Sequence, residues 1–562
     1  MKGDGVNTPS DTLWQEILRS ALVQHRQGEL AQAEALYRRV LELQPEVAEA
    51  HCGLGVIELA QGNNRRAIDS LKRVLRLQPA NVAVLLNLAI ACESEGLLRE
   101  AETFLQRTLE CEPDSALGHL KLATVLETLG RLDEAQLHAQ AATRLSPENP
   151  EAYLCLGTIL IRRNRLSDAV PFFNHAVQLN PSLGPCAAST LRQFLDEGVR
   201  SWENRLESNP SDFDALLSLA KIRYSERRPH DAVTLLERAL AVKPGDPNAR
   251  YALGFTQLLL GEFEQGWKNY EARFKTGQKE FPDRQFAQPR WTGENLEGRT
   301  ILVFAEQGLG DTLQFLRYTS LIAERGSRIV LQCQPVLKPL IETCSWIQTV
   351  VAPGDPLPPF HFQIPLLSLP AVFKTSLESI PNRVPYLRVP GNAAFELPST
   401  PPGRMKIGLV WAGNPVLQND LVRSIPLATL SPLWSLPNAS FFSLQVGPAS
   451  LQLAMAPHTR RPIDLKPFLS DFAKTAAAVQ RLDLVISVDT AVAHLGGTLG
   501  KPVWLLLPFA PEWRWLLDRE DSPWYPTMRL YRQRKADDWE DVIERVRLDL
   551  TGKTAAKLER PV

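Results

Sequence analysis

The first residues that could do chemistry form the hexapeptide Glu-Gln-Gly-Leu-Gly-Asp at 306–311, between an apolar strand pattern and a helical pattern. Gly308 and Gly310 would let a ligand approach the backbone closely, and Asp311 would lie in the first turn of the helix. Asp311 could belong to a ligand-binding loop, or it could simply cap the helix, which is worth ~1 kcal/mol. The dinucleotide fingerprint needs glycine where Leu313 stands, so the loop does not favour NAD.

A second candidate is the segment 487–495, Ser-Val-Asp-Thr-Ala-Val-Ala-His-Leu, at another predicted junction of strand and helix. Asp489 and Thr490 would begin the helix, and His494 would lie one turn further on, on the same face as Thr490. The free N–H groups and positive partial charge at a helix N-terminus suit a diphosphate. The alternative interpretation is a capped helix with a histidine in the core.

Polar residues near the ends of two further strand patterns complete the candidate ligand-binding set. Asn414 follows one strand pattern, Arg423 comes after it in a polar loop, and Gln445 ends the next pattern. Beside a phosphate, Arg423 would act as a charge clamp, whereas Gln445 is placed to meet a base or a ribose. The Trp-Arg-Trp cluster at 513–515 would either line the same cleft or pack within it.

These candidates need a framework of parallel strands to position them. After residue 275 the helical period stops, and strand-length apolar runs alternate with helical stretches, which is typical of α/β folds. A proline-rich stretch divides the runs into two sets. We therefore expect a linker at 276–298 and two Rossmann-like domains at 299–400 and 404–551, with ligands at the carboxyl ends of the strands. The predicted strands are 300–305, 328–332, 349–352, 362–367, 406–411, 441–446, 484–488, 503–507 and 529–531.

The first half of the chain carries a 34-residue repeat. Small residues recur where two helices would cross, and a proline follows each second helix, which it cannot continue. The pattern resembles the tetratricopeptide repeat, and it predicts an α-solenoid over 11–275 with about seven to eight units, degenerate at 182–209. The three phase-locked series are Ala21, Gly55, Ala89, Ala123 and Gly157; Ala33, Ala67, Ala101, Ala135 and Ala169; and Pro45, Pro79, Pro113, Pro147 and Pro181.

Repeat arrays of this kind form a concave groove that binds a peptide or protein, although a spacer or dimerisation module is the alternative. In the O-linked GlcNAc transferases an asparagine ladder lines the groove. Only Asn87 fits that ladder here, so peptide clamping of that kind is not favoured. The matching positions hold Arg19, Gly53, Asn87, Lys121, Cys155, Ser218 and Ala252.

Composition and net charge limit the classes of binding partner and the cellular locations that we expect. The 562 residues carry a net charge of −1, which argues against a nucleic-acid partner and against a polybasic membrane binder. No apolar run approaches the ~18 residues of a membrane span, so we expect no transmembrane segment. The N-terminus lacks the apolar core of a signal peptide, and the seven cysteines include no C-x-x-C pair. A cytoplasmic location is therefore expected.

Three motifs together resemble the ADP-heptose:lipopolysaccharide heptosyltransferases, in the bacterial branch that carries N-terminal tetratricopeptide repeats. They are the Gly-Leu-Gly-Asp loop, Leu-Val-Trp-Ala-Gly-Asn at 409–414, and Asp-Thr-x-x-x-His-Leu at 489–495. The resemblance implies a GT-B fold, a nucleotide-diphosphate-sugar donor, and neither metal nor cofactor. This chain departs from the family at Ala491, where glycine is usual, and at 496–498, where the family is alanine-rich.

The resemblance also assigns roles to individual residues. Asp311 matches the catalytic base, and Asp489, Thr490 and His494 match the donor-site motif. Arg423 lies in the region where the family has a basic phosphate ligand. The implied activity is inverting, metal-independent transfer of a hexosyl or heptosyl group to a glycan or protein acceptor, with the repeat groove recruiting the acceptor or a partner protein. Two alternatives remain open: a non-catalytic scaffold with a relic transferase domain, and a protein O-glycosyltransferase.

Overall fold

The computed structural model describes residues 9–163, 165–278, 284–417, 420–456 and 461–558. The chain divides into two compact units, 1–190 and 191–562. The sequence predicts a division at the end of the repeats, near 275. The structure instead groups the last repeat helices with the strands, because their aromatic faces are buried against the first sheet.

The first unit is a series of antiparallel helix pairs. Small residues allow the two helices of a pair to cross closely: a methyl group on Gly55 would lie 2.6 Å from Leu71, and one on Gly157 would lie 3.1 Å from Phe173. The turn inside a pair uses a left-handed backbone, as at Gly62 with φ of 77°. The helices are α1 Pro9–Arg26, α2 Leu30–Leu43, α3 Ala48–Ala60, α4 Asn64–Leu77, α5 Val82–Ser94, α6 Leu98–Cys111, α7 Ala116–Thr128, α8 Leu132–Leu145, α9 Pro150–Arg162 and α10 Leu166–Leu179.

The segment predicted as a degenerate repeat differs from its neighbours. In place of a helix pair it forms one helix of 25 residues, α11 Gly184–Ser208. The boundary between the compact units falls within this helix. Regular pairs then resume as α12 Phe213–Ser225, α13 Pro229–Val242, α14 Pro247–Leu260 and α15 Phe263–Tyr270, and a 3₁₀ turn follows at Glu271–Lys275.

A four-stranded parallel sheet follows the repeats, with the order β3-β2-β1-β4. Its first strand therefore has the second strand on one side and the fourth on the other. The carboxyl ends of β1 and β4 meet at this change of direction, where ligands bind in sheets of this type. The strands are β1 Thr300–Phe304, β2 Arg328–Gln332, β3 Thr349–Val351 and β4 Phe362–Pro365; the helices are α16 Leu309–Phe315, α17 Tyr318–Ala323, α18 Lys338–Ile341 and α19 Leu369–Val372.

A second parallel sheet has six strands in the order β10-β9-β8-β5-β6-β7, which is the doubly wound dinucleotide-fold order. Its change of direction lies between β5 and β8, where Val410 pairs with Ser487. The strands are β5 Met405–Val410, β6 Ala439–Ser443, β7 Ile463–Asp464, β8 Leu484–Val488, β9 Val503–Leu507 and β10 Met528–Arg532; the helices are α20 Asp420–Arg423, α21 Gln452–Met455, α22 Phe472–Gln480, α23 Ala491–Thr498 and α24 Trp539–Leu558.

The predicted strands coincide with the observed ones to within a few residues, and only the two-residue β7 has no counterpart. Every residue of β8 and β9 is buried, as expected for parallel strands covered on both faces. One apolar core joins Leu258 and Trp267 of the last repeat to both sheets. In the part of the chain that the structure describes, no helix is both long and apolar enough to cross a membrane.

Candidate active site between the two sheets

Asp311 lies at the start of α16, at the carboxyl end of β1. Its Oδ2 accepts the backbone N–H of Gly308 at 2.9 Å, which closes the turn that begins the helix. Its Oδ1 accepts a hydrogen bond from Nη2 of Arg514, 203 residues further along the chain. The Asp311 side chain retains 22% exposure. Asp311 therefore takes part in capping the helix, while its role as a catalytic base stays a prediction.

Arg514 is the central cation of the site. It lies in a 3₁₀ turn, Trp513–Trp515, after β9, and its side chain is only 7% exposed. It forms ion pairs with Asp311 and Glu512, and its Nε donates to Oε1 of Gln314 at 2.8 Å. The sequence singled out 513–515 as a cluster that either lines the cleft or packs within it, but it did not indicate this bridging role. The sequence feature that could have indicated this role is a charged residue between two tryptophans.

The Asp489–His494 motif has the predicted placement after β8. Thr490 is the N-cap of α23, and its hydroxyl makes no cap hydrogen bond; it contacts Ser487 Oγ at 3.0 Å. Asp489 Oδ2 accepts the indole N–H of Trp515 at 2.8 Å, and its Oδ1 lies 3.7 Å from Nε2 of His494. The start of α23 therefore has no side-chain cap from Thr490.

The two motifs are in direct contact. A methyl group on Gly310 would lie 2.8 Å from Cδ2 of His494, so α16 and α23 pack at their N-terminal ends with no room for a side chain. Nδ1 of His494 is hydrogen-bonded to the hydroxyl of Tyr525 at 3.0 Å. Gly310, Asp311, Asp489 and His494 thus come from two different sheets to one place.

Residues at the end of β5 form a neighbouring group on the second sheet. Arg423 donates from Nε to Asp420 at 3.0 Å, and its guanidinium is so close to the backbone that a side chain on Gly413 would collide with it. Asn414 is exposed, and its side chain accepts the N–H of Val416 at 3.1 Å. Because β5 pairs with β8, this group lies beside the start of α23.

Gln445 is next to these residues, but its amide serves the backbone. Oε1 accepts the N–H groups of Trp411 and Ala412 at 3.0 and 2.9 Å, and Nε2 donates to the carbonyls of Ala412 and Val446 at 3.0 and 2.8 Å. An amide side chain has two donors and two acceptor positions, so all four are occupied. This geometry gives Gln445 a positioning role for the end of β5, and its contact with a donor stays a prediction.

Charge at the site is unbalanced. Asp311 and Glu512 both pair with the guanidinium of Arg514, and the charge of Asp489 also acts on Glu512. Burial raises the pKa of Glu512 to about 7, although Arg514 opposes this rise. Burial, assisted by the positive charge of Arg514, lowers the pKa of His494 to about 3. At neutral pH the histidine is therefore an uncharged hydrogen-bonding group, and Glu512 is the carboxyl best suited to carry a proton.

Within the described ranges, no group of three or more His, Cys, Asp or Glu side chains is arranged to hold a metal ion. The acids of the site instead face Arg514, Trp515 and backbone N–H groups.

Family models of the tetratricopeptide repeat match much of the N-terminal part. One matches 58–124, and a second matches 18–64, 120–183, 188–247 and 217–265. The solved structure of YrrB, described as a TPR protein with an unusual peptide-binding site, is 22% identical and covers 31% of this chain and 93% of that one, with a TM-score of 0.28. MamA from Desulfovibrio magneticus RS-1 is 19% identical and covers 32% and 98%, with a TM-score of 0.29.

A curated relative extends beyond the repeats. Protein FlbA of Caulobacter vibrioides is 27% identical over 398 residues, which are 65% of this chain and 64% of that protein. The chain therefore spans just under two thirds of the length of this relative. The family matches establish that the N-terminal part of the chain is built from tetratricopeptide repeats.

Proposed function

We propose that residues 299–551 form a GT-B-type glycosyltransferase that moves a sugar from a nucleotide-diphosphate donor to an acceptor hydroxyl, with inversion and without a metal. One observation supports the proposal: the loop of Asp311, after β1 of the first sheet, and the Asp489–His494 motif, after β8 of the second, are brought together, with Gly310 packed against His494. Two parallel sheets whose carboxyl-end loops meet are what a donor half and an acceptor half require.

The donor would lie on the second sheet. Its diphosphate would face the uncapped N-terminus of α23 and the guanidinium of Arg423, which are adjacent because β5 and β8 are paired. A helix N-terminus and an arginine both stabilise negative charge that develops on a leaving diphosphate. His494, uncharged at neutral pH, would hydrogen-bond rather than add charge.

The acceptor would lie on the side of the first sheet. Asp311 takes the proton of the acceptor hydroxyl as that oxygen attacks the anomeric carbon. The bond from the anomeric carbon to the phosphate oxygen breaks, and its electron pair leaves on the nucleoside diphosphate. Attack opposite to the leaving group inverts the anomeric centre. Arg514 orients Asp311 through the hydrogen bond to its Oδ1 until the acceptor arrives.

The repeats would recruit the acceptor or a protein partner through their groove, as arrays of this kind do. A protein O-glycosyltransferase is the same chemistry with a protein acceptor, but the missing asparagine ladder counts against that mode of binding. Intact-mass analysis of co-purifying proteins, with and without donor, separates protein acceptors from glycan acceptors.

The test is a hydrolysis screen of the full chain with a panel of nucleotide sugars. We expect one donor class to release its nucleoside diphosphate, Asp311→Asn to lower turnover at least about 100-fold with donor binding retained, and EDTA to have no effect. Loss of activity with EDTA, restored by a divalent cation, would contradict the metal-free mechanism.

A second candidate is a non-catalytic scaffold. It is favoured by the fact that both oxygens of Asp311 are already engaged, by Gly308 and Arg514. A thermal-shift panel of nucleoside diphosphates separates the two, because a ligand that binds only the folded state stabilises it in proportion to the logarithm of its concentration. No shift with any nucleotide, together with no donor hydrolysis, would favour the scaffold.

A further inference from the structure

The last repeat unit makes direct contact with the loop that carries Asp311. Nε2 of Gln307 donates to the hydroxyl of Tyr270 at 3.0 Å. Tyr270 is the final residue of α15 and occupies the inward-facing position that Tyr37, Leu71 and Phe173 occupy in earlier units. Its ring fills the repeat core as theirs do, but its hydroxyl extends beyond the repeat to the loop.

Arg273, three residues later, fills the ligand-binding edge of the first sheet. Its side chain is fully buried, and Nη2 donates to Glu306 Oε1 at 3.0 Å and to Ser368 Oγ at 2.8 Å. Glu306 follows β1 and Ser368 follows β4, so the guanidinium lies where the direction of the sheet changes. Glu306 also accepts the N–H of Leu367 at 3.3 Å. A repeat residue therefore takes the place that a ligand takes in other sheets of this type.

The same repeats hold the loop that carries Arg514. The hydroxyl of Tyr224, on α12, donates to the carbonyl of Pro511 at 3.0 Å. Arg227 donates to the carbonyl of Leu517 at 3.0 Å. The ring of Trp267 meets that of Trp513 edge to face, with centroids 5.2 Å apart. Both partners of the Asp311–Arg514 ion pair thus lie on loops whose outer sides are fixed by residues 224–273.

We infer that Tyr270 and Arg273 are positioning residues of the transferase site, so that the last repeats are a structural part of the active site and not an appended binding module. This inference rests on the proposed function for its catalytic meaning. Independently of any catalysis, the side chains of Tyr270 and Arg273 hold the loop 305–311 in the conformation that places Asp311 in the proposed site.

The test compares two tyrosines at the same repeat position. Tyr270→Phe removes the hydroxyl that Gln307 bonds, and Tyr37→Phe removes a hydroxyl that bonds His25 at 3.2 Å in the first unit. Loss of one neutral hydrogen bond corresponds to about a fivefold change in a local opening equilibrium. We expect about fivefold faster backbone hydrogen exchange at 305–311 in Tyr270→Phe, with the sheet strands unchanged, and no change there in Tyr37→Phe.

A double-mutant cycle tests whether the Tyr270–Gln307 bond itself is responsible. Gln307→Met alone should accelerate exchange at 305–311 to a similar extent, and the double variant should be no faster than either single one. Uniform acceleration across the second compact unit would show general destabilisation and overturn the positioning role. Wild-type exchange at 305–311 in Tyr270→Phe would overturn it as well.

Steady-state kinetics distinguish a positioning role from a purely structural one, through separate effects on kcat and on the KM for donor. With an active donor identified, Tyr270→Phe should lower kcat about fivefold or more and leave the KM for donor unchanged, because the donor side lies on the second sheet. A raised donor KM with unchanged kcat would contradict the inference. If the wild type transfers no sugar, the proposed function fails, and the exchange experiment alone decides whether the repeat holds this loop.

Discussion

Gly310 and His494, 184 positions apart in the chain, touch across the cleft: a methyl group on Gly310 would lie 2.8 Å from the imidazole Cδ2. The imidazole has little freedom to retreat, since Tyr525 holds its Nδ1 at 3.0 Å. Glycine at 310 is therefore required by the contact between α16 and α23, in addition to any approach of a ligand.

Gly310→Ala should separate these two helix ends and open the cleft. Overpacking of this kind costs ~1–3 kcal/mol, and we expect both a lower urea midpoint and at least a tenfold loss of transferase kcat/KM. Gly391→Ala is the matched control, because a methyl group there would meet no atom within 4 Å. Equal urea midpoints and equal activity for the two variants would show that the helix ends adjust freely.

Replacing Arg514 should lower the stability of the folded protein as well as disturb the proposed site. Arg514→Gln leaves Asp311 and Glu512 without their cation, and breaking a buried ion pair from one side costs ~3–5 kcal/mol. Because the pKa of Glu512 is already raised to about 7, its protonation should hold the loss near the lower end.

Adding Glu512→Gln to Arg514→Gln should recover part of that stability, since it removes one of the uncompensated carboxyls. Chemical denaturation of the single and double variants measures the coupling. Arg519→Gln breaks a pair with Asp521 that is 34% and 69% exposed, and it should cost under ~1 kcal/mol. If the Arg514→Gln, Glu512→Gln double variant were less stable than Arg514→Gln alone, the site would not carry an excess of negative charge once the arginine is removed.

His494 should remain uncharged at pH 5. Burial and Arg514 lower its pKa to about 3, below the ordinary value of 6.5, while Asp311 opposes the shift. Between these two values the unfolded chain binds a proton that the native chain does not, so this group makes the native state less stable as the pH falls from 6.5 toward 3. Above pH 6.5 its contribution is fully present.

Histidine ¹⁵N NMR checks this directly, with the signal assigned by its loss in His494→Gln. We expect neutral-imidazole shifts for His494 down to about pH 4. Titration near pH 6.5 would mean that the ring is solvated and that the cleft is open. The same variant should flatten the stability profile between pH 6.5 and 4, because it removes the group that links stability to pH there.

The sequence predicted the framework of the site better than its contacts. The 34-residue period and the alternating strand patterns are local signals, so the repeats, the strands and the placement of Asp311 and Asp489 after β1 and β8 could be predicted. The Asp311–Arg514 pair could not, because it joins residues 203 positions apart. Neither could the burial of Arg273 between Glu306 and Ser368, which places a repeat residue inside an α/β domain.

The role of Gln445 is one that the sequence leaves open. A polar residue at the end of a strand beside a donor site fits both a ligand contact and a brace for the backbone, and only the four hydrogen bonds to residues 411, 412 and 446 distinguish them. The sequence has no signal for that difference.

The variant Gln445→Met tests whether Gln445 contacts the donor or braces the backbone. Methionine has nearly the same length but leaves the N–H groups of Trp411 and Ala412 and the carbonyl of Ala412 without partners, and each such buried group costs ~1–3 kcal/mol. We therefore expect a loss of at least ~3 kcal/mol in the free energy of unfolding, with weaker donor binding only as a consequence of disorder at 411–414. Gln445→Glu should be intermediate, because it keeps the acceptor for both N–H groups while placing an oxygen against the Ala412 carbonyl. Unchanged stability with a tenfold weaker donor affinity in Gln445→Met would instead assign Gln445 to direct donor contact.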